Sequence, residues 1–268
     1  MKKSWLVLGL VLFLSFPCGR ARAADAPQPA ANTGFDAYLE KVEARLAHQY
    51  QSPTGFLDGL DSARDRLRRG DLVIENLNTD SNTNLTGAML HHWRGTAFVP
   101  NAQVADFERL MKNFNTYPQH FSPEVLQAKV LSEHSDSGVD HINASMRVRQ
   151  KHVLTVVMDM TYDVAFARLD AQHGYSSSRS TRVAEIASPG TSNEHALSDG
   201  EEHGFLWRLN TYWSYEEGDG GLYMQIESIS LTRSIPTGLG WVIKPFVESV
   251  PRESLEFTLR SACNDLKK

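Results

Sequence analysis

An α+β fold, with six or seven antiparallel strands covered by a long C-terminal helix, follows from three features of the sequence. Most of the chain between Asp71 and Arg233 alternates or is β-rich, the tail after Gly238 carries helical spacing, and one helical segment near 101–116 interrupts the strands. Strands that follow one another without helices between them pair antiparallel, and a sheet with an apolar face needs a cover. The tail helix is the long cover expected, and the segment near 101–116 plugs one end.

The first 23 residues read as an export signal. Lys2 and Lys3 precede the apolar run WLVLGLVLFLSF, which is short for a span of ~20 residues, and Ala21 to Ala23 form a small-x-small cleavage site with the cut expected before Ala24. An uncleaved anchor and lipidation at Cys18 are the alternatives, but Phe16 and Pro17 stand where a lipobox wants small residues. A cleaved signal implies a periplasmic or secreted protein with no stable transmembrane segment. Cleavage removes four of the 27 basic residues and none of the 32 acidic ones, and no Lys/Arg stripe remains to reward nucleic-acid phosphates. Only Cys263 survives, so neither an internal disulfide nor a Cys-ligated metal cluster is expected.

Residues 24–34 are Pro/Ala-rich and read as a flexible leader, and 35–70 as a helical N-terminal extension. Phe35, Leu39, Val42 and Leu46 recur at helical spacing, and a weaker helix over 55–71 ends near Gly70. Its Arg64, Arg66, Arg68 and Arg69 alternate with Asp61 and Asp65, the pattern of a solvated face. From Asp71 to Lys268 the main domain begins with DLVIENLN and GAMLHHWRGTAFVP, strand-like and separated by polar TDSNTN. Asn101 is the expected cap of a helix burying Val104, Phe107, Leu110, Met111 and Phe114, broken at Tyr117-Pro118. Strand-like runs then continue to Arg233. In the tail, Leu239, Val242, Ile243, Phe246 and Val247 are followed by Pro251 and by Leu255, Leu259, Ala262 and Leu266 at helical spacing.

The most informative stretch is HGFLWRLNTYWSYEEGDGGLYMQIESISLTRSIPTG, 203–238, two β-rich arms around EEGDGG. Placing Tyr215 opposite Leu222 sorts its side chains into two faces, since neighbours on a strand point opposite ways. One face carries Phe205, Trp207, Leu209, Thr211, Trp213, Tyr215, Leu222, Met224 and Ile226. The other carries Leu206, Arg208, Asn210, Tyr212, Tyr223, Gln225, Glu227, Ile229 and Leu231, with Asn210 opposite Glu227. Exposed, Arg208, Asn210 and Glu227 form an ordinary surface cluster. Enclosed, Arg208 and Glu227 must pair, and a paired charge in an apolar cavity would orient the polar end of a ligand.

Catalytic signatures are missing. GYSSS fails G-x-S-x-G, and no HExxH, phosphate loop or dinucleotide glycine pattern occurs. His91 and His92 are adjacent and would face opposite sides of a strand, while HSDSGVDH (134–141) follows no ligand-spacing rule. No metal, cofactor or catalytic residue is therefore assigned.

The run VPNAQVADFERLMKNFNTYPQHFSPEV resembles the strand-to-helix entry of START-like proteins, the SRPBCC or helix-grip superfamily that includes pollen-allergen-like members. RSIPTGLGWVIKPFVESVPRESLEFTLRSACNDLKK resembles their closing helix, and the hairpin with its tail looks like secreted bacterial members of unassigned activity. The resemblance covers roughly 72–268 and implies a sheet gripping a helix around a cavity for a lipid, sterol, polyketide or other apolar molecule. It carries no shared catalytic constellation. The expected function is a secreted or periplasmic carrier of a lipid or other hydrophobic small molecule. The alternatives are a cyclase- or hydrolase-like enzyme using the same cavity and a structural or partner-binding envelope protein with the cavity filled. Trp93, Trp207, Arg208, Asn210, Tyr212, Trp213, Tyr223, Gln225, Glu227 and Phe246 are the candidate cavity residues. The ligand's identity and the oligomeric state stay open.

Overall fold

The computed structural model describes residues 26–52, 55–78, 84–151, 155–198, 200–234 and 240–267, and of 240–248 the backbone alone. The expected export signal lies outside them. Helix α1 (Pro29–Gln49) opens the described chain, and α2 (Leu60–Arg68) follows. Strands β1 (Val73–Asn76), β2 (Asn84–Leu85) and β3 (Ala88–Pro100) lead to α3 (Val104–Lys112), a 3-10 turn (Phe114–Thr116) and the one-turn helix α4 (Tyr117–His120). The strands then run as β4 (Val125–Asp136), β5 (Val139–Lys151), β6 (Thr155–Arg168), β7 (His173–Ala187), β8 (His195–Ala196), β9 (Arg208–Gly218) and β10 (Gly221–Arg233), before α5 (Gly240–Leu266).

One antiparallel sheet runs in the order β1-β3-β10-β9-β7-β6-β5-β4, with β2 beside β3 and β8 beside β7. Eight strands on the continuous path exceed the six or seven expected, because the short β1 edge counts and the run 143–171 holds parts of two long strands. The chain returns from β7 through β9 and β10 to β3, so the first and last long strands are neighbours, next to the short β1 edge.

Three local details differ from expectation. The segment expected as a leader to residue 34 is helical from Pro29, since proline is tolerated in a first turn whose N–H groups lack intrahelical partners. Gln103 caps α3, not Asn101: its side chain meets the helix N-terminus while Asp106 accepts from the Gln103 N–H at 3.2 Å. Asn101 instead takes a left-handed φ of 62° and donates its N–H to the Gly220 carbonyl at 2.9 Å. Pro118 lies in the first turn of α4 rather than ending α3, which stops at Lys112.

The hairpin closes more tightly than EEGDGG suggested. Asp219 and Gly220 both take positive φ, 53° and 76°, the two-residue turn whose twist suits a hairpin, so Gly218 faces Gly221. Tyr215 therefore pairs with Met224, and Glu227 with Tyr212 rather than Asn210. The slip is two residues, which preserves the face of every side chain on the paired arms.

The sheet is covered on both faces. On the inner face, Trp213, Tyr215, Leu222, Met224 and Ile226 pack with Phe107 and Leu110 of α3 and with Leu255, Leu259 and Ala262 of α5. Helix α5 approaches β3 so closely that a Cβ on Gly95 would lie 2.4 Å from a Leu259 methyl. On the outer face, the α1 stripe Phe35, Leu39, Val42 and Leu46 packs on Ala88, Leu90, Tyr212, Ile229 and Leu231. Beside it, Leu57, Leu60 and Leu67 pack on Phe98 and Tyr223. The N-terminal extension is thus a third layer over the central strands. No described helix is long and apolar enough to cross a membrane.

Candidate ligand-binding site

Seven of the ten cavity candidates lie on the outer face, beneath or beside the N-terminal helices. Arg208 does not pair with Glu227: its guanidinium meets Asp36 at 2.7 Å and lies over the Phe35 ring. Asn210 donates to the Tyr212 hydroxyl at 3.3 Å, and that hydroxyl donates to Glu43 at 2.6 Å. Gln225 donates to the Asp58 carbonyl at 2.8 Å and to Thr96 Oγ1 at 2.9 Å. Tyr223 packs against Phe98 and donates to Asp219 at 2.7 Å. Trp207 precedes β9 and packs with the α1 cluster rather than with Trp213, because the chain enters the strand only at Arg208.

Glu227, only 2% exposed, sits at the centre of this layer. It accepts from Arg45 and from His92 Nε2 at 2.9 Å, while His92 Nδ1 meets the Tyr38 hydroxyl at 2.7 Å. Burial pushes its carboxyl up, but the His92 hydrogen bond and the Arg45 charge outweigh burial and hold it below the ordinary carboxylate range. These groups join helix to sheet. They do not face a chamber under α5, because α1 supplies the partners that the strands lacked when read alone.

Trp213 and Trp93 lie on the inner face, while the Phe246 side chain falls outside the described residues. Reading across the strands in register, the inner face falls into rows. Gly95, Ile226, Trp213, Ser176 and Phe166 form one, next to the wall of α3. Trp93, Ser228, Thr211, Ser178 and Val164 form the next. Beyond it His91, Ser230 and Leu209 align, and Ser180 Oγ accepts the Leu209 N–H at 2.9 Å.

The rows differ in how well they are filled. Trp213, Ile226 and Phe166 are buried, and Tyr215, Leu222 and Met224 completely so. In the next rows Trp93, Thr211, Ser228, Ser178, Leu209 and Ser180 remain partly exposed, although they point to the face that α5 covers. Val183, Met146 and Val148, packed against the same core, are partly open as well.

His91 is buried and meets Thr232 Oγ1 at 3.0 Å, and burial pushes its imidazole down to about 4, so it is neutral near pH 7. Glu185, also on this face, is held by His203 Nδ1 at 2.8 Å and by the N–H groups of His203 and Phe205. A separate recess of about 310 Å³ bounded by Phe56, Asp58, Asp61, Arg64 and Glu216 opens beside the outer layer, where Asp58 and Arg64 are already paired with Arg94 and Asp219.

The architecture is therefore an α+β one, a single antiparallel sheet packed at one end by α3 and crossed on the same face by the C-terminal helix. The solved structures to which this chain is similar include a START superfamily protein from Mycobacterium smegmatis, at 13% identity over 66% of this chain and 97% of that one, TM-score 0.41. The STAR-related lipid transfer protein from Xanthomonas axonopodis matches at 15% over 73% and 99%, TM-score 0.42. The Zhui aromatase/cyclase from a Streptomyces species matches at 11% over 66% and 94%, TM-score 0.42. No family model matches the sequence, and no curated protein does. At such identities no residue role passes from those proteins to this chain.

The inner polar residues were harder to read than the outer ones. Thr211 falls on the aromatic face of the hairpin even in the sequence, but nothing there singles out His91, Ser178, Ser228 or Ser230. The usable signal was the break in apolar alternation at Ser228 and Ser230, which follow Met224 and Ile226 on the same face.

Proposed function

We propose that this protein binds a hydrophobic small molecule in the groove between the inner sheet face and α5 and carries it out of contact with water. One observation supports this above the rest: Trp93, Leu209, Thr211 and Ser228 keep partial exposure on a face crossed by a helix, while the same strands are fully packed one row away. Affinity comes from apolar burial at ~25 cal/mol per Å². Carriage is favoured over catalysis because His91 is already paired with Thr232 Oγ1 and Glu185 is engaged with the 203–205 backbone and His203. The export signal read at residues 1–23 supports a periplasmic or secreted location for this carrier.

Solvent extraction of the protein purified from its own cells, with mass spectrometry of the extract, should recover a stoichiometric apolar molecule. The delipidated protein should then bind N-phenyl-1-naphthylamine saturably. An empty extract together with no saturable dye binding would overturn the proposal. N-terminal sequencing of the same preparation should begin at Ala24, and a chain still starting at Met1 would refute export by cleavage.

A further inference from the structure

We infer that the guest carries an uncharged, oxygen-bearing polar end, recognised by the hydroxyl row of Ser178, Thr211 and Ser228 with Ser230 and His91 behind it. This rests on the groove being a ligand chamber, and it adds the chemical class of what enters.

Cross-strand register places Ser178 beside Thr211 and Thr211 beside Ser228, and the next row sets Ser230 beside His91. All share the inner face with Trp213 and Ile226, because side chains on a strand alternate. Among the described residues, no side-chain hydrogen bond engages the hydroxyls of Ser178, Thr211, Ser228 or Ser230, whereas the neighbouring Ser180 and Thr232 are bonded to the Leu209 N–H and to His91. Each free hydroxyl offers one donor and accepts as well, a pairing that suits an alcohol or a carbonyl. Three in register form a short ladder, so a diol, ester or hydroxylated ring could meet two at once.

The cations described here lie elsewhere. Arg45, Arg94, Arg179 and Arg208 are on the outer face, joined to Glu227, Asp58, Glu43 and Asp36. Lys112 and Arg168 both meet Glu108 of α3. No Lys or Arg among the described residues stands in the two open rows. A carboxylate or phosphate brought there would lose water without gaining a counter-ion, which is costly in an apolar enclosure. A neutral polar end exchanges hydrogen bonds to water for hydrogen bonds to the ladder.

The test compares three oleoyl probes on the delipidated full chain, below their micellar concentrations and at pH 8: 1-monooleoylglycerol, oleate and 1-oleoyl-lysophosphatidate. Quenching of tryptophan fluorescence should give the monoglyceride at least tenfold the affinity of either anion. Ser178→Ala, Thr211→Val and Ser228→Ala together should lower monoglyceride affinity about tenfold and leave N-phenyl-1-naphthylamine binding unchanged. Thr211→Ser with Ser228→Thr, which keeps the hydroxyls, should preserve the preference. Anions binding as tightly as the monoglyceride, or a preference that survives loss of the three hydroxyls, would overturn the inference while the chamber stands. Failure of all three lipids and the dye would remove the chamber itself.

Discussion

The two faces of the strands that α1 and α5 cover treat their polar side chains in opposite ways. On the outer face, Arg208, Tyr212, Gln225 and Glu227 are each matched by a partner from the N-terminal helices or their connection. On the inner face, one residue along the same strands, Thr211 and Ser228 lie side by side with no side-chain partner among the described residues. Strand alternation decides which face a residue takes, but the layer that covers the face decides whether it is glue or recognition surface. A matched polar layer stabilises, and an unmatched one is available to a guest.

The largest test of that contrast is at Glu227. Glu227→Ala takes from His92 Nε2 and Arg45 the carboxylate they share, and breaking a buried pair of this kind costs about 3 kcal/mol. Urea denaturation should show that loss, while dye binding in the groove stays as it was. A cost under about 1 kcal/mol, the range of an exposed pair, would mean that the outer layer is not held this way. Lost dye binding in a folded variant would mean that the faces are not independent. Acid should expose the same group. Its folded pKa lies below the ordinary 4.5, so its contribution is present above pH 4.5 and disappears as the pH falls through the folded value. Stability of the wild type should decline more steeply below pH 4.5 than that of Glu227→Gln.

A second test acts on the cover of the open face. A side chain at Gly95 would start 2.4 Å from Leu259 Cδ1 and 2.9 Å from Leu255 Cδ2, both buried leucines with little room to turn. Gly95→Val should cost about 1–3 kcal/mol, the usual penalty of overpacking, and should also weaken guest retention, because the residue pushed away belongs to the helix that closes the groove. Reduced stability with dye affinity intact would show that α5 does not close the site.

The order of elements was legible in the sequence because it rests on period, and period survives local error. The α1 stripe Phe35, Leu39, Val42 and Leu46 and the faces of the paired hairpin arms were correct despite a register wrong by two, whereas Leu206 and Trp207, ahead of β9, pack on the faces opposite to those expected. What could not be read was which layer covers which face. Arg208, Asn210 and Glu227 look like a buried recognition cluster when their strands are taken alone, and only the position of Asp36, Glu43 and Arg45 shows that they are spoken for. That information lies in contacts more than a hundred residues apart along the chain, such as Arg45 with Glu227, and no local pattern encodes it. The reverse holds for Ser178, Thr211 and Ser228, which are unremarkable on separate strands and acquire meaning only when pairing places them side by side.

The smallest expected effect concerns the seam between the inner face and its cover. Glu124, just ahead of β4, is half-buried, and burial together with the charge of Glu253 on α5 pushes its carboxyl up to about 7. A carboxyl with a raised folded pKa holds a proton that the unfolded chain has released, so between pH 4.5 and 7 the folded state binds more protons. Stability from this group is therefore greatest below pH 4.5 and falls as the pH rises toward 7, the opposite sense to Glu227. Glu124→Gln should flatten that decline and leave the acid limb below pH 4.5 in place. The change is modest because the half-exposed carboxyl is partly screened by water. Thermal melts of both proteins between pH 5 and 8 read it directly: curves that stay parallel would mean that Glu124 ionises freely, and that the approach of β4 to α5 does not bury its charge.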